Sequence, residues 1–127
     1  MSLFSVLLVA MGGALGSVCR YLVGIGAGRV LGSNFPFGTM IVNVVGSFAM
    51  GLFVEFLALK FNGSESLRLF VAVGVLGGFT TLSSFSLDTI VLFERGAVTT
   101  AVVYAGGSIL LSLAALIAGL QFVRALA

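Results

Sequence analysis

The chain has 127 residues, of which 60% are hydrophobic and only 8% are charged, with six Lys or Arg and four Asp or Glu. A soluble domain of this size needs a polar coat, because a small fold has more surface than core; this composition therefore excludes a soluble globule and predicts an apolar surface that faces lipid. The chain has no His, a lone Cys19 and a net charge of +2, which argue against a histidine switch, a disulfide or a nucleic-acid partner.

The first apolar stretch runs from about Leu3 to Val23, close to the roughly 20 residues that a helix needs to cross a bilayer. It lacks a basic n-region and is longer than the apolar region of a usual secretory signal, so we expect a retained helix. The second stretch runs from about Phe37 to Leu59. Polar residues mark the loops after these stretches, namely Arg29, Ser33, Asn34 and Pro36 after the first and Lys60 with the turn Asn62–Ser66 after the second.

The third stretch runs from near Leu67 to near Glu94, and its middle favours a helix poorly. Gly77-Gly78 is followed by Thr80-Thr81 and Ser83-Ser84; glycine loses backbone entropy in a helix, and Thr and Ser compete for backbone hydrogen bonds. A break inside a bilayer is tolerated where the backbone is buried in protein or lines a cavity, and unwound carbonyls can bind a cation. The sequence therefore predicts a broken helix with a functional role, with a kink or close packing through small residues as the structural alternative.

The fourth stretch covers about 98–122, and Arg124 closes it. Three polar residues spaced by four form one stripe on this apolar helix, namely Tyr104, Ser108 and Ser112. Asn43 lies deep in the second stretch, and its amide is costly to bury unsatisfied. Such donors, with no cation nearby, could hydrogen-bond a small dehydrated anion and still release it, as conduction requires. Hydrogen bonds between helices are the structural alternative.

Small residues recur four positions apart, which puts both members of each pair on one helical face and predicts close helix packing in lipid. The pairs are Gly12/Gly16, Gly24/Gly28, Ser47/Gly51 and Gly74/Gly78. We assign these pairs a packing role and no chemistry.

The cations are balanced between the two sides of a four-span protein. Each side carries three, namely Lys60, Arg68 and Arg124 on the side of the termini and Arg20, Arg29 and Arg95 on the other. Because orientation follows an asymmetry in these counts, the balance favours insertion in both orientations and permits an antiparallel homodimer. Orientation by a partner or by one dominant charge is the alternative.

No set of nucleophiles, acids, bases or metal ligands converges in the pattern that catalysis needs, so we expect no enzyme. The remaining carboxylate of interest is Asp88, within the third stretch, because an intramembrane carboxylate is a functional-site hypothesis by default. Pairing near the interface, with an arginine such as Arg20, is the alternative. Glu55 is expected at a helix end near Lys60.

Three segments together resemble the Fluc (CrcB) family of fluoride channels: residues 12–21 (GGALGSVCRY), 38–46 (GTMIVNVVG) and 74–86 (GVLGGFTTLSSFS). Length and the four spans agree, so the resemblance covers nearly the whole chain as one domain, residues 1–127. It implies an all-α integral membrane protein of a bacterial inner membrane, with a broken third helix. It also implies an antiparallel, dual-topology homodimer with two fluoride pores, a central structural Na⁺ and passive export of fluoride.

The resemblance also implies residue roles. The pore positions match Asn43, Leu82, Phe85, Tyr104, Ser108 and Ser112; the Na⁺ ligands match the backbone carbonyls of Gly77 and Thr80; and Arg20 matches a vestibule arginine. The family usually carries phenylalanine at the position of Leu82 and threonine at that of Ser84. Phenyl ring edges carry partial positive charge that could contact fluoride, and leucine has none, which calls a normal conduction rate into question.

Two other functions stay open at this point. A small multidrug exporter also has four helices and dual topology, but such proteins are built around a carboxylate in the first helix, and this first helix has none. A membrane scaffold subunit that transports nothing would explain the glycine faces, but it would leave the polar stripe and the poor helix of the third stretch unexplained.

Overall fold

The computed structural model describes residues 2–60 and 63–127, so Asn62 of the predicted turn lies outside the described residues. The helices are α1 (Leu3–Leu31), α2 (Phe37–Lys60), α3 (65–79), α4 (Leu82–Glu94) and α5 (Val98–Leu126). With α3 and α4 taken together as Glu65–Glu94, four stretches in the described part of the chain are long and apolar enough to cross a membrane. The predicted all-α class with four membrane-spanning stretches is confirmed.

Helix α1 is longer than predicted. It continues past Val23 to Leu31, so Arg29 lies in its last turn and not in the loop. Each glycine in this extension costs about 1 kcal/mol relative to alanine in a helix. A backbone group left unpaired in lipid costs several kcal/mol, however, so the helix continues. Gly32, with a φ of 84°, then ends it in the left-handed region that favours glycine.

Facing glycines bring two pairs of helices into backbone contact. A Cβ added at Gly12 of α1 would lie 2.9 Å from the Cα of Gly74 in α3. A Cβ added at Gly51 of α2 would lie 3.2 Å from the Cα of Gly119 in α5. Such close approach is how helices associate in lipid, and the predicted packing role of these glycines is confirmed. The same crowding by backbone atoms occurs at Gly16 and Gly78.

The pair Gly24/Gly28 behaves differently. A Cβ added at either residue would meet nothing within 4 Å in the described chain, so neither side-chain direction points at a neighbouring helix. The approach at this end involves Gly38 of α2 instead, where an added Cβ would lie 3.0 Å from the Cα of Gly24. Gly24 therefore takes part in close packing of α1 on α2, whereas Gly28 has no such contact within the described chain.

Two residues with extended backbone lie between α3 and α4. Thr80 has φ −85° and ψ 158°, and Thr81 has φ −153° and ψ 120°. The Thr81 hydroxyl then caps α4 by accepting a hydrogen bond from the Ser84 N–H at 3.2 Å. Upstream, Arg68–Leu76 forms a π-helix, a rare geometry that often occurs at functional sites and that the sequence pattern did not predict.

An ion pair ties α2 to α5 near their ends. Glu55, whose side chain is 17% exposed, lies 3.1 Å from the guanidinium of Arg124. The sequence placed this carboxylate near Lys60, but α2 and α5 pack in parallel, with Gly51 against Gly119, and this brings Arg124 to it instead. The pair joins the C-terminal ends of α2 and α5. The N-terminal halves of the same two helices flank the site described below.

Replacing Gly16 with alanine should weaken the packing of α1 on α3, because the new Cβ would collide with the carbonyl oxygen of Val75 and lie 2.8 Å from the amide nitrogen of Phe79. Overpacking of this kind costs about 1–3 kcal/mol. Gly26→Ala is the matched control, since its Cβ would meet nothing within 4 Å. Thermal unfolding in detergent, followed by circular dichroism, should show a lower midpoint for Gly16→Ala alone. Equal midpoints for the two variants would contradict the backbone contact.

Candidate functional site

A cavity of about 330 Å³ lies between α2, α4 and α5, beside the extended segment. Most of the predicted pore residues line it, together with one predicted sodium ligand: Asn43, Leu82, Phe85, Ser108, Ser112 and Thr80. Residues from parts of the sequence that are far apart therefore meet at one place. Leu82 lies at the outer edge of this place, with 76% of its surface exposed on the single chain.

Asn43 fastens the extended segment to α2. Its Nδ2 donates to the carbonyl oxygen of Thr81 at 3.0 Å, and the Thr81 N–H donates to its Oδ1 at 2.8 Å. The side-chain amide thus bonds both the N–H and the carbonyl of Thr81, which lies outside a helix, much as a neighbouring strand does in a sheet. The Nδ2 of the amide carries a second hydrogen besides the one that it donates to Thr81. The sequence left two roles open for Asn43, a donor in a pore and a hydrogen bond between helices, and these two bonds confirm the second.

The extended segment also deprives two carbonyl oxygens of their helical donors. In a continuous helix the Gly77 carbonyl would accept from the Thr81 N–H, which here donates to Asn43. The Thr80 carbonyl would accept from the Ser84 N–H, which here donates to the Thr81 hydroxyl. Unwound carbonyls of this kind bind Na⁺ in membrane transporters. The two predicted sodium ligands therefore fit that ion by the chemistry of their oxygens.

Arg20 reaches across from α1 to the end of α3. Its Nε donates to the carbonyl oxygen of Gly78 at 3.0 Å. The same arginine lines a second cavity, of about 340 Å³, whose wall also includes Thr39, Thr81 and Ser84. Thr81 lines both cavities. The predicted vestibule residue Arg20 therefore lies on one side of Thr81, and the predicted pore residues lie on the other.

Tyr104 is separated from the rest of its stripe. It lies beside the first cavity, with its ring centroid 5.4 Å from those of Phe35 and Phe85, and it is fully buried. Its hydroxyl donates to Oδ2 of Asp88 at 3.0 Å. Since Asp88 pairs with Tyr104 and Arg20 pairs with a carbonyl oxygen, the alternative pairing of Asp88 with Arg20 is wrong.

Ser108 carries a buried hydroxyl that lacks a hydrogen-bond partner among the described residues, although only 3% of the residue is exposed. Serine and threonine in helices often bond the carbonyl four residues back, as Ser86 does with Leu82 and Thr89 with Phe85 in α4. A buried polar group left unsatisfied costs about 1–3 kcal/mol, so it calls for an explanation. The Ser108 hydroxyl therefore carries a proton that no described residue accepts, in the wall of the first cavity.

A second polar stripe, on α2, went unnoticed in the sequence. Thr39 lines the second cavity, Asn43 and Ser47 line the first, and the three residues are spaced by four along one helix. That spacing, which puts side chains on one helical face, was the available signal. The site is thus flanked by polar stripes on both α2 and α5.

Comparison with known proteins agrees with this architecture. Residues 7–120 match the family described as CrcB-like protein, Camphor Resistance (CrcB). The chain belongs to this family. It is 53% identical over 121 residues to the fluoride-specific ion channel FluC 1 of Nitrobacter hamburgensis, covering 95% of this chain and 96% of the relative. The predicted resemblance is confirmed, and the chain is a multi-pass membrane protein.

Two further relatives cover nearly the whole chain. Identity is 57% over 121 residues with the fluoride-specific ion channel FluC of Rhizobium johnstonii, covering 95% of this chain and 97% of the relative. Identity is 54% over 122 residues with the fluoride-specific ion channel FluC of Agrobacterium fabrum, covering 96% of this chain and 98% of the relative. These family members are named as ion channels and not as enzymes, in agreement with the expectation drawn from the sequence.

Replacing Asn43 with alanine should release the extended segment, because the N–H and carbonyl of Thr81 would both lose their partner. Leaving such groups unsatisfied costs about 1–3 kcal/mol. Hydrogen–deuterium exchange of a peptide spanning 79–85 should become faster in detergent-solubilised protein. Ser47→Ala, one turn further along α2 in the same cavity wall, is the matched control and should leave this exchange unchanged. Exchange as slow in Asn43→Ala as in the parent would mean that Thr81 is held by something else.

Proposed function

We propose that this chain is a fluoride-selective channel through which F⁻ leaves a bacterial cytoplasm passively across the inner membrane. The observation that carries the proposal is the unpartnered, buried hydroxyl of Ser108 in the wall of a cavity that Phe85 and Ser112 also line. The relatives named as fluoride-specific ion channels support the identity of the ion. The chain is not an enzyme.

Neutral donors suit a small anion that has to move on. Fluoride must lose part of its water to enter a protein pathway, and hydroxyl and amide hydrogens replace that water. The cavity wall is made of such groups and of apolar side chains, without a Lys or Arg among the described residues that line it. A fixed cation would hold the ion strongly at low dielectric, whereas conduction requires binding weak enough for release. Ser108 and Ser112 lie about 6 Å apart along α5 by helix geometry, so an anion would move only that far from one hydroxyl to the next.

The membrane potential supplies the driving force. Fluoride enters an acid-stressed cell as neutral HF, dissociates in the more alkaline cytoplasm and is trapped as the anion. An open pathway then lets the inside-negative potential drive it out, at about 2.3 kcal/mol per charge per 100 mV. This export needs neither a nucleotide nor a redox cofactor.

We further propose that two copies assemble as an antiparallel, dual-topology homodimer with two pores and a central structural Na⁺. The balanced cations of the sequence support insertion in both orientations. Gly77 is exposed on the single chain and its carbonyl has lost its helical donor, which suits an ion shared with a second copy. Together with Thr80, these carbonyls at the broken third helix would hold Na⁺, which would supply positive charge and tie the two copies together.

Efflux from liposomes tests the function directly. Purified protein is reconstituted into vesicles loaded with fluoride, valinomycin supplies potassium as the compensating charge, and a fluoride electrode follows release. Rapid loss of fluoride from these vesicles, with chloride retained by a parallel set, is the expected result. A correctly folded protein that releases no fluoride would overturn the proposal and favour the scaffold subunit. Fluoride loss accompanied by equal chloride loss would overturn the selectivity.

Replacing Ser108 with alanine should separate conduction from stability. The variant removes a donor to fluoride, and losing one hydrogen bond to a charged group slows the rate about tenfold. It also removes an unsatisfied buried hydroxyl, so the thermal midpoint in detergent should stay unchanged or rise. Ser86→Ala, which removes a hydroxyl bonded within its own helix, is the control for efflux. A lower midpoint in Ser108→Ala would show that the hydroxyl serves packing between helices instead.

Replacing Leu82 with phenylalanine should raise the efflux rate, because a ring edge with partial positive charge would then face the anion beside Phe85. Leu82→Met is the matched control, since it keeps a large apolar side chain and offers no ring. Rates are compared in the same fluoride-loaded vesicles at equal protein density. An equal rise with methionine would attribute the effect to side-chain shape, and a fall with phenylalanine would contradict the ring-edge argument.

A further inference from the structure

Five residues with a side-chain hydroxyl line the first cavity, namely Ser47, Thr80, Thr81, Ser108 and Ser112. Two of these hydroxyls are engaged within the protein. That of Thr80 donates to the carbonyl oxygen of Leu76 at 3.0 Å. That of Thr81 shares a hydrogen bond of 3.3 Å with the hydroxyl of Ser83. The other three have no hydrogen-bond partner among the described residues, and of these Ser47 lies on α2 whereas the other two lie on α5.

Ser47 borders this cavity from a face of α2 that also packs against α5. The sequence pattern paired it with Gly51, one turn further along α2, as small residues for close helix packing. Gly51 does touch α5, since an added Cβ would collide with the carbonyl oxygen of Leu116. Ser47 lines the cavity and is partly exposed on the single chain. Its side chain is therefore available for a role other than packing.

The parallel packing of α2 and α5 places Ser47 across the cavity from Ser112. Gly51 meets Leu116 where the two helices touch. Ser47 precedes Gly51 by one turn, and Ser112 precedes Leu116 by one turn. Helices that run in the same direction keep such positions at similar heights, because each rises about 1.5 Å per residue. The two hydroxyls therefore belong to opposite walls of one cavity at a similar height.

We propose that Ser47 is a fluoride-binding residue, whose hydroxyl donates to the ion from α2 while that of Ser112 donates from α5. The inference deepens the proposed channel function and rests on it. Apolar side chains of the same cavity replace none of the water that fluoride has to lose; they include Met50, Ile109 and Leu116. Hydroxyls on both walls stabilise the anion from two sides without a fixed cation, so binding stays weak enough for release.

Close packing through a small side chain is the competing role for Ser47. The two roles make opposite predictions for two substitutions. Ser47→Ala keeps the small size and removes the donor, whereas Ser47→Thr keeps a hydroxyl and adds a methyl group. A packing role predicts that alanine behaves like the parent and that threonine disturbs the contact between helices. A donor role predicts the reverse order of efflux rates.

The test measures fluoride efflux from loaded vesicles for the parent and both variants at equal protein density. We expect Ser47→Ala to slow efflux about tenfold, through loss of one hydrogen bond to a charged group, and Ser47→Thr to stay within about threefold of the parent. Ser86→Ala, which removes a hydroxyl bonded within its own helix, should match the parent. Efflux from Ser47→Ala that is as fast as from the parent, or faster than from Ser47→Thr, would overturn the inference and leave the channel function in place.

Thermal unfolding in detergent gives a readout independent of transport. The midpoint of Ser47→Ala should match that of the parent, because the lost hydroxyl has no partner in the part of the chain that the structure describes. Slow efflux together with a lower midpoint would show that packing had been lost, and would overturn the inference. A parent protein that releases no fluoride would overturn the proposed function and this inference with it.

Discussion

A peptide group inside a bilayer has no water to bond, so a residue that leaves the helix there must find its partners within the protein. At Thr81 both partners come from one side chain, the amide of Asn43. This exchange has consequences on each side. Once the Thr81 N–H is taken by Asn43, the Gly77 carbonyl loses its helical donor. Once the Thr81 hydroxyl takes the Ser84 N–H, the Thr80 carbonyl loses its own. One pair of residues thus frees two oxygens and shapes two cavities.

The glycines allow the helices to pack closely around the extended segment at Thr80 and Thr81. Backbone contact between α1 and α3 at Gly12 and Gly74 brings α1 near enough for Arg20 to reach the Gly78 carbonyl. Contact between α2 and α5 at Gly51 and Gly119 holds together the two helices on which Asn43 and Ser108 line the first cavity. In lipid, where apolar side chains gain nothing by leaving the solvent, such close packing is the main attraction between helices. The close approach at the glycines therefore both holds the helices together and brings the residues of the site into contact.

The sequence predicted what depends on local composition and missed what depends on distant partners. Hydropathy gave the four spanning stretches, and spacing put Ser108 and Ser112 on one face of α5. Hydropathy did not give the length of α1, because the glycines after Val23 weaken the helix signal while lipid still requires helical bonding. The partners of Asn43, Arg20 and Asp88 lie 38, 58 and 16 residues away. No local pattern states which of these distant groups will meet.

The hydroxyls of the structure fall into two classes, and the difference bears on how a channel of this kind can pass an ion. Those of Ser86 and Thr89 bond carbonyls of their own helix, and that of Tyr104 bonds Asp88. Their protons are already donated, so they add polarity without adding affinity for an anion. The hydroxyl of Ser108 stands apart because its proton has no acceptor in the described chain. Under the proposed function, a hydroxyl whose proton is undonated is the kind of group that can take the place of water around an anion, so the polar residues of the site differ in what they can offer an ion.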